Sequence, residues 1–414
     1  GFNEAGNVFG STANNNPTFF GGIPATVYGA NRAMSAKMIA STPRFYPITP
    51  NIRQVDAFNA YTAGCGHAFA TSSGFPKSWR DRRAFICGPT GNLLGMYDMR
   101  QKDAGYEAIN AFSFVASADE WFSPIVAEVG PDGNMWVADW YNFIIQHNPT
   151  PNKGRAGYDA KTGRGNAHIN PNRDRQHGRI YRVVYEGHDS KAPKLGNSKQ
   201  LVTALGHDNL FWRQTAQRLL VDGKRTDAVP ALKTLTTKGG HGAIHALWTL
   251  SGIGALDTKT HTAALISPEP ALRRNAIRAL GADKVSAQML YDSATLADKD
   301  LQVRLVAFTK LAALPESDAN KKTASLLMKL PENAKDEWLR LALQATGAAE
   351  MNIVGYKRGP NLLPNASFEE VGGNKLPTNW SERTYSRRNP DLKHAIETRK
   401  EFVKSGKNSL RISA

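Results

Sequence analysis

The hydrophobic period of this chain changes near residue 198, and that change limits the folds open to it. Across residues 198–350, apolar residues recur at i, i+3, i+4 and i+7, the spacing of one face of an amphipathic helix. Helical cores are read at 211–220, 243–250, 272–280, 303–308 and 338–343. A small residue returns in each of them. Ala216, Ala246, Ala276, Ala307 and Ala342 lie 30, 30, 31 and 35 residues apart. A fixed small residue lets two helices approach closely, and a period of this length marks stacked helix pairs. The expectation is an α-solenoid of HEAT-like repeats over 198–350, with turn signals such as Ser267-Pro268-Glu269-Pro270 between pairs. A plain helical bundle would show the same helices without the repeat.

Residues 1–190 carry the other period. They are rich in Gly, Pro, Asn and aromatics, with short strand-like runs between turn clusters. Residues 119–147 show the pattern most fully. An apolar run at 124–129 meets the turn Pro131-Asp132-Gly133, and Met135 to Ala138 returns. Asp-Gly suits the positive φ of a tight hairpin. The return strand ends in a polar and aromatic tip, Asp139, Trp140, Tyr141 and Asn142. Two other strands run into tips that close on Asn14 and Asn92. The tips at Asn92 and Asn142 are 50 residues apart and those at Asn14 and Asn92 are 78 apart, which places an insertion within 21–54. Strand, turn, strand and polar tip, repeated, predict a partial β-propeller, although a lone β-hairpin would show the same local pattern. About three blades are visible, so further blades are expected before Gly1. Residues 148–177 form a long Gly-, Asn- and Arg-rich loop, a length more often functional than not.

After a linker at 351–360, residues 361–414 turn strand-like again, with a Gly-Gly turn at 372–373 and a last strand at 408–413. They are too few for a closed sandwich and read as the start of one. The fold class expected is therefore multidomain: partial β-propeller, α-solenoid, partial β-sandwich.

The net charge of +16 raises a nucleic-acid or anionic-surface partner. The basic residues, however, are spread over every segment, and the densest run, 153–182, has little aromatic interleaving, so nucleic acid is not the expected partner. No apolar run approaches the roughly 20 residues of a membrane span. Cys65 and Cys87 have neither haem-attachment nor zinc-ligand spacing. Pairing the strands at 64–70 and 83–89 about the intervening loop sets the two directly opposite. They form either a cross-strand disulfide, suited to an oxidising compartment, or two buried thiols.

At these residues a resemblance enters. The ordered motifs ASADEWFSPIVAEVGPDGNMWVADWYNFIIQH, NRDRQHGRIYRVV, DNLFWRQTAQRLL and IHALWTLSGIGAL resemble the PVC-type membrane-bound dehydrogenases over roughly residues 1–350. The resemblance implies a six-bladed propeller like that of glucose and sorbosone dehydrogenases, followed by HEAT-like repeats. It implies an extracytoplasmic oxidoreductase, periplasmic or extracellular and membrane-associated through other segments. Such a quinoprotein-like enzyme would oxidise a sugar or polyol with pyrroloquinoline quinone and calcium. Electrons would pass to a cytochrome c domain, whose haem motif is absent from this chain. The tail NLLPNASFEE…LPTNWS…SGKNSLRIS is similar to the start of carbohydrate-binding jelly rolls. In those an acidic residue near the first strand holds structural calcium, which makes Glu369 and Glu370 candidates.

Fold does not fix function, so the residues must supply a site. Hydride removal from a carbinol needs a base and an acceptor. His67 is the base candidate because imidazole titrates near neutrality. Asp139 is a second base or a metal ligand, against its plain role as a turn cap. Asn14, Asn15, Asn92, Trp121, Trp140, Tyr141, Asn142 and Arg179 are candidates for substrate or cofactor binding: the indoles and phenol by stacking on a ring, the Asn side chains as oxygen donors, Arg179 against an anion. The solenoid offers a docking surface for proteins and no catalytic cluster. Two rival functions stand beside the oxidoreductase. One is a non-catalytic assembly that binds sugar or polysaccharide. The other is a calcium-dependent propeller hydrolase or lactonase.

Overall fold

The computed structural model describes residues 1–12, 15–24, 26–27, 37–50, 60–142, 153, 159, 161, 174, 176–188 and 190–347, together with the backbone of two strands, 393–397 and 409–413. Two compact units are present, Gly1–Ala349 and Glu350–Ala414.

In the first unit the strands come before the helices, as the change of period requires. β1 (Phe9–Thr12) and β2 (Asn16–Phe20) form a two-stranded ribbon. β3 (Cys65–Phe69), β4 (Arg83–Gly88), β5 (Leu93–Lys102) and β6 (Gly105–Ala116) form a four-stranded meander, and β7 (Pro124–Val129), β8 (Met135–Asp139) and β9 (Arg179–Val183) a three-stranded one. Every neighbouring pair is antiparallel. Among the described residues these sheets do not close into a ring. The β7–β8 turn is the expected one. Gly133 has φ +77°, and the Asp132 carboxylate accepts the Asn134 N–H at 3.2 Å and the Trp136 indole N–H at 2.9 Å.

Cys65 and Cys87 are register partners on β3 and β4, and both are thiols. A bulge between Cys65 and Ala68 sets this up. Gly66 sits in it at φ +57°, where a Cβ would stand 2.8 Å from the Cys87 sulfur. Only glycine tolerates both the dihedral and the approach.

Among the described residues eleven α-helices follow: α1 (Ser198–Ala204), α2 (Leu210–Asp222), α3 (Val229–Thr236), α4 (Gly240–Ile253), α5 (Thr258–Leu265), α6 (Pro270–Ala279), α7 (Lys284–Asp292), α8 (Leu301–Ala313), α9 (Asp318–Met328), α10 (Pro331–Lys335) and α11 (Glu337–Gln344). Their starts are written in the sequence. Asn197, Asn209, Asp257, Asp283, Asp300, Ser317 and Asp336 each accept a backbone N–H of the first turn. The recurring alanines fall on α2, α4, α6, α8 and α11, and all five are fully buried. These helices pack in that order, α2 on α4, α4 on α6, α6 on α8 and α8 on α11.

Strands and helices share one core. Phe9, Phe20, Phe69 and Ala108 belong to the same buried cluster as Leu272, Val303, Phe308 and Leu339. The Phe20 ring meets Trp338 edge-on at 4.9 Å. Asp336 joins the two parts directly. One oxygen caps α11 through the Leu339 N–H at 2.8 Å, and the other accepts the Ala104 N–H of the β5–β6 turn at 2.9 Å. A buried ion pair between Glu4 and Arg213 adds a second tie.

In the second unit β10 (Lys393–Glu397) pairs antiparallel with β11 (Ser409–Ser413). The first strand expected there, at 361–370, lies outside the described residues. No helix among the described residues is long and apolar enough to cross a membrane.

Candidate functional site

The tip of the three-stranded sheet is built around Asp139, the last residue of β8. Its side chain is fully buried. One carboxylate oxygen accepts the N–H of Ser123 at 2.7 Å and of Tyr141 at 2.8 Å. The other accepts Nε of Arg179 at 2.7 Å. Arg179 opens β9, so the register that pairs Asp139 with Arg179 also brings their side chains together. The guanidinium reaches further, to Asp119 at 2.8 Å. Burial works against ionisation of Asp119, but the Trp121 N–H and the guanidinium hold its carboxyl below the ordinary range.

The aromatic residues lie on this ionic frame. Arg179 sits over the Tyr141 ring, 4.3 Å from its centroid, and Tyr141 stacks on Trp121 at 5.2 Å and 28°. Tyr141 has φ +55°, an uncommon conformation for a bulky residue, and the Asp139 bond to its N–H secures it. A cavity of about 480 Å³ opens here, lined by Trp121, Tyr141, Asp174, His177, Gly178 and Arg179. On its far wall Asp174 accepts the N–H groups of Gln176 and His177 and contacts Nδ1 of His177 at 2.6 Å. The Gln176 and His177 N–H groups, then the His177 ring, draw the Asp174 carboxyl down to about 2. With Nδ1 held by the carboxylate, Nε2 is the atom of His177 left for a ligand.

The other sequence candidates fall as follows. Asn92 sits at φ +54°, and its amide donates to the Phe122 carbonyl at 2.7 Å and the Glu120 carbonyl at 3.3 Å. Asn142 is buried, accepts Ser123 Oγ on its carbonyl at 2.5 Å, and donates to the Asp174 carbonyl at 3.2 Å. Both tips therefore converge on the segment 120–123, as latches rather than as walls of the cavity. Asn15 takes φ +59° in the β1–β2 turn. Asn tolerates this left-handed region, which gives a conformational reason for Asn at two of the tips. Trp140 is partly exposed, donates its N–H to the Ser123 carbonyl, and is not among the cavity's lining residues. Asn14, Glu369 and Glu370 lie outside the described residues.

His67 is not brought to Asp139. It is buried on β3, with Nε2 3.0 Å from Thr18 Oγ1 and its ring between Phe9 and Phe69. It borders a separate cavity of about 150 Å³ with Phe69, Glu128 and Phe211. Burial pushes its pKa down to about 3. A base so weak removes a hydroxyl proton poorly, and the surroundings are those of a packed core histidine.

Sequence reasoning passed over Asp174 and did not select Asp119 or His177. Asp174 and His177 carry a local signal. Asp followed two and three residues on by the N–H groups it caps is an Asx turn, and Asp-Xaa-Xaa-His places the imidazole beside the carboxylate. Asp119 is bound to the site by tertiary contact alone.

Pyrroloquinoline quinone carries three carboxylates, whereas among the described residues the tip sets Asp119, Asp139 and Asp174 against one arginine, Arg179, so these residues do not fit it. The oxygens of Asp139 are taken by N–H donors, so Asp139 has no oxygen left to offer calcium. Among the described residues, metal-capable side chains gather elsewhere, at Glu4, Asp81 and His241, all within 4.8 Å. There Arg213 already holds Glu4.

Antiparallel sheets with an aromatic, ion-paired cavity at one tip, continuous with a row of packed helices, define the class of protein. Residues 1–187 match a family described as a domain of unknown function (DUF7133), a span that takes in β1 to β9. No curated protein matches the chain.

Proposed function

We propose that this protein binds a neutral sugar or polyol at the Trp121–Tyr141 cavity. In this reading the sheets are part of a β-propeller, the helices form a HEAT-like solenoid that docks partners, and the C-terminal strands begin a carbohydrate-binding sandwich. One observation carries the proposal: two stacked aromatic rings face a cavity whose rim supplies Asp174, His177 and Arg179. A sugar presents an apolar C–H face to such rings and hydroxyls to such a rim. Titration calorimetry with a panel of mono- and oligosaccharides tests it. Saturable binding that falls at least tenfold in Trp121→Ala supports the reading, and no heat with any sugar removes it.

The oxidoreductase reading, in the manner of the PVC-type dehydrogenases and in a periplasmic or extracellular setting, is favoured by the Asp174–His177 pair. A carboxylate on Nδ1 orients the imidazole so that Nε2 accepts a hydroxyl proton. The electron acceptor would have to come from outside the described residues. Sugar-dependent dye reduction by the full protein, lost in His177→Gln, is the expected outcome; sugar binding without reduction leaves a carbohydrate-binding scaffold.

A further inference from the structure

Among the described residues, the buried and half-buried arginines of the helical half are mostly matched by acids, and two half-buried cations are not. Arg213 pairs with Glu4, Arg273 with both oxygens of Asp298 at 2.7 and 2.9 Å, and Arg304 with Glu332 at 3.4 Å. Arg278 on α6 and Lys310 on α8 form no ion pair among the described residues. Arg278 donates to the Ala5 carbonyl at 2.9 Å and to Asn7 Oδ1 at 2.7 Å. Lys310 donates to the Leu280 carbonyl at 2.6 Å, beyond the end of α6. Neutral oxygens satisfy the hydrogen bonds but leave two positive charges uncompensated.

Both side chains line one cavity of about 370 Å³ between the β1–β2 ribbon and helices α6 and α8. Its remaining wall is largely apolar, with Phe20, Pro24, Val27 and Val306. The volume is at the small end of ligand sites, which run to roughly 300–1,000 Å³. Burial pulls the Arg278 guanidinium down to about 10 and lowers Lys310 as well.

We propose that this cavity binds a small organic carboxylate with an apolar body, its head group at Arg278 and Lys310 and its body against Phe20 and Val306. The site is separate from the sugar cavity, and none of its lining residues is shared with it. An anion here would be held by two cations already fixed by hydrogen bonds, so little ordering opposes binding.

The experiment is titration calorimetry of the full chain with 4-phenylbutyrate, with 4-phenylbutanol and inorganic phosphate as separate arms. Saturable binding of the carboxylate is expected, with at least tenfold weaker binding of the alcohol and of phosphate. Lys310→Met and Thr309→Trp should each weaken it at least tenfold, the first by removing charge and the second by filling the space. Circular dichroism checks their folding, and Ala313→Trp, at an exposed position on the same wall, replaces either variant that unfolds. No carboxylate binding, equal binding of the alcohol, binding of phosphate alone, or affinity unchanged in the filled cavity would each overturn the proposal.

Discussion

Arg179 shows how much one side chain can organise. It neutralises Asp139, which is wholly buried, reaches Asp119, and covers Tyr141. Removing it strands a carboxylate, which costs more than the pair itself contributes. Arg179→Met should lower stability by about 2–3 kcal/mol, a figure reduced for the partial exposure of the guanidinium. Urea unfolding measures this, and a loss within error of zero would show that Asp139 is held by its N–H donors alone. His67 makes a pH prediction. Its folded pKa of about 3 lies below the ordinary imidazole value, and His245 is pushed down to about 3 in the same way, by burial first. Between those two values the unfolded chain binds protons that the folded chain does not, so stability falls as pH drops from about 6.5 towards 3. Each imidazole adds up to about 1.4 kcal/mol per pH unit to that slope. His67→Gln should flatten it; an unchanged slope would mean that His67 titrates normally.

At the scale of elements, register does the work. β8 and β9 pair so that Asp139 faces Arg179, and β3 and β4 pair so that Cys65 faces Cys87. The second alignment rests on the Gly66 bulge. Mild oxidation of the folded protein should link the two thiols within one chain, seen by mass spectrometry as loss of two hydrogens and of both alkylation sites. Retention of both free thiols would show that the strand geometry cannot accept the bond. Gly66→Ala should weaken this link along with the fold, because a Cβ there also meets the backbone of β7, 2.9 Å from the Ala127 nitrogen.

Across the first unit, strands and helices depend on each other. The ribbon residues Phe9 and Phe20 have their partners in Tyr106 and Trp338, and Asp336 bonds both α11 and the β5–β6 turn. A shared core of this kind predicts one cooperative transition for Gly1–Ala349. Helical circular dichroism and tryptophan fluorescence should give coincident denaturation curves, and Asp336→Ala should shift both together. Separate midpoints would mean that the two halves fold independently.

Element type and order were set by the sequence alone. Period 2 against period 3.6 separates strands from helices, Asn, Asp and Ser mark the helix starts, and the alanine recurrence fixes which helices pack on which, because these are local properties of neighbouring side chains. The Asp139–Tyr141 tip was legible for the same reason. The remainder was decided by tertiary structure. His67 looks like a base in sequence and becomes a core residue through burial, which no local pattern encodes. Asp174 and His177 line one cavity with Trp121 and Tyr141, and Asp119 is tied to it through Arg179, only because contacts at Arg179 and the 120–123 segment draw distant strands together. Arg278 and Lys310, 32 residues apart in the chain, become a charged pocket only when α6 and α8 pack against the ribbon. Charge and chemistry are read residue by residue, but the environment that tunes them is made by contacts across the whole fold.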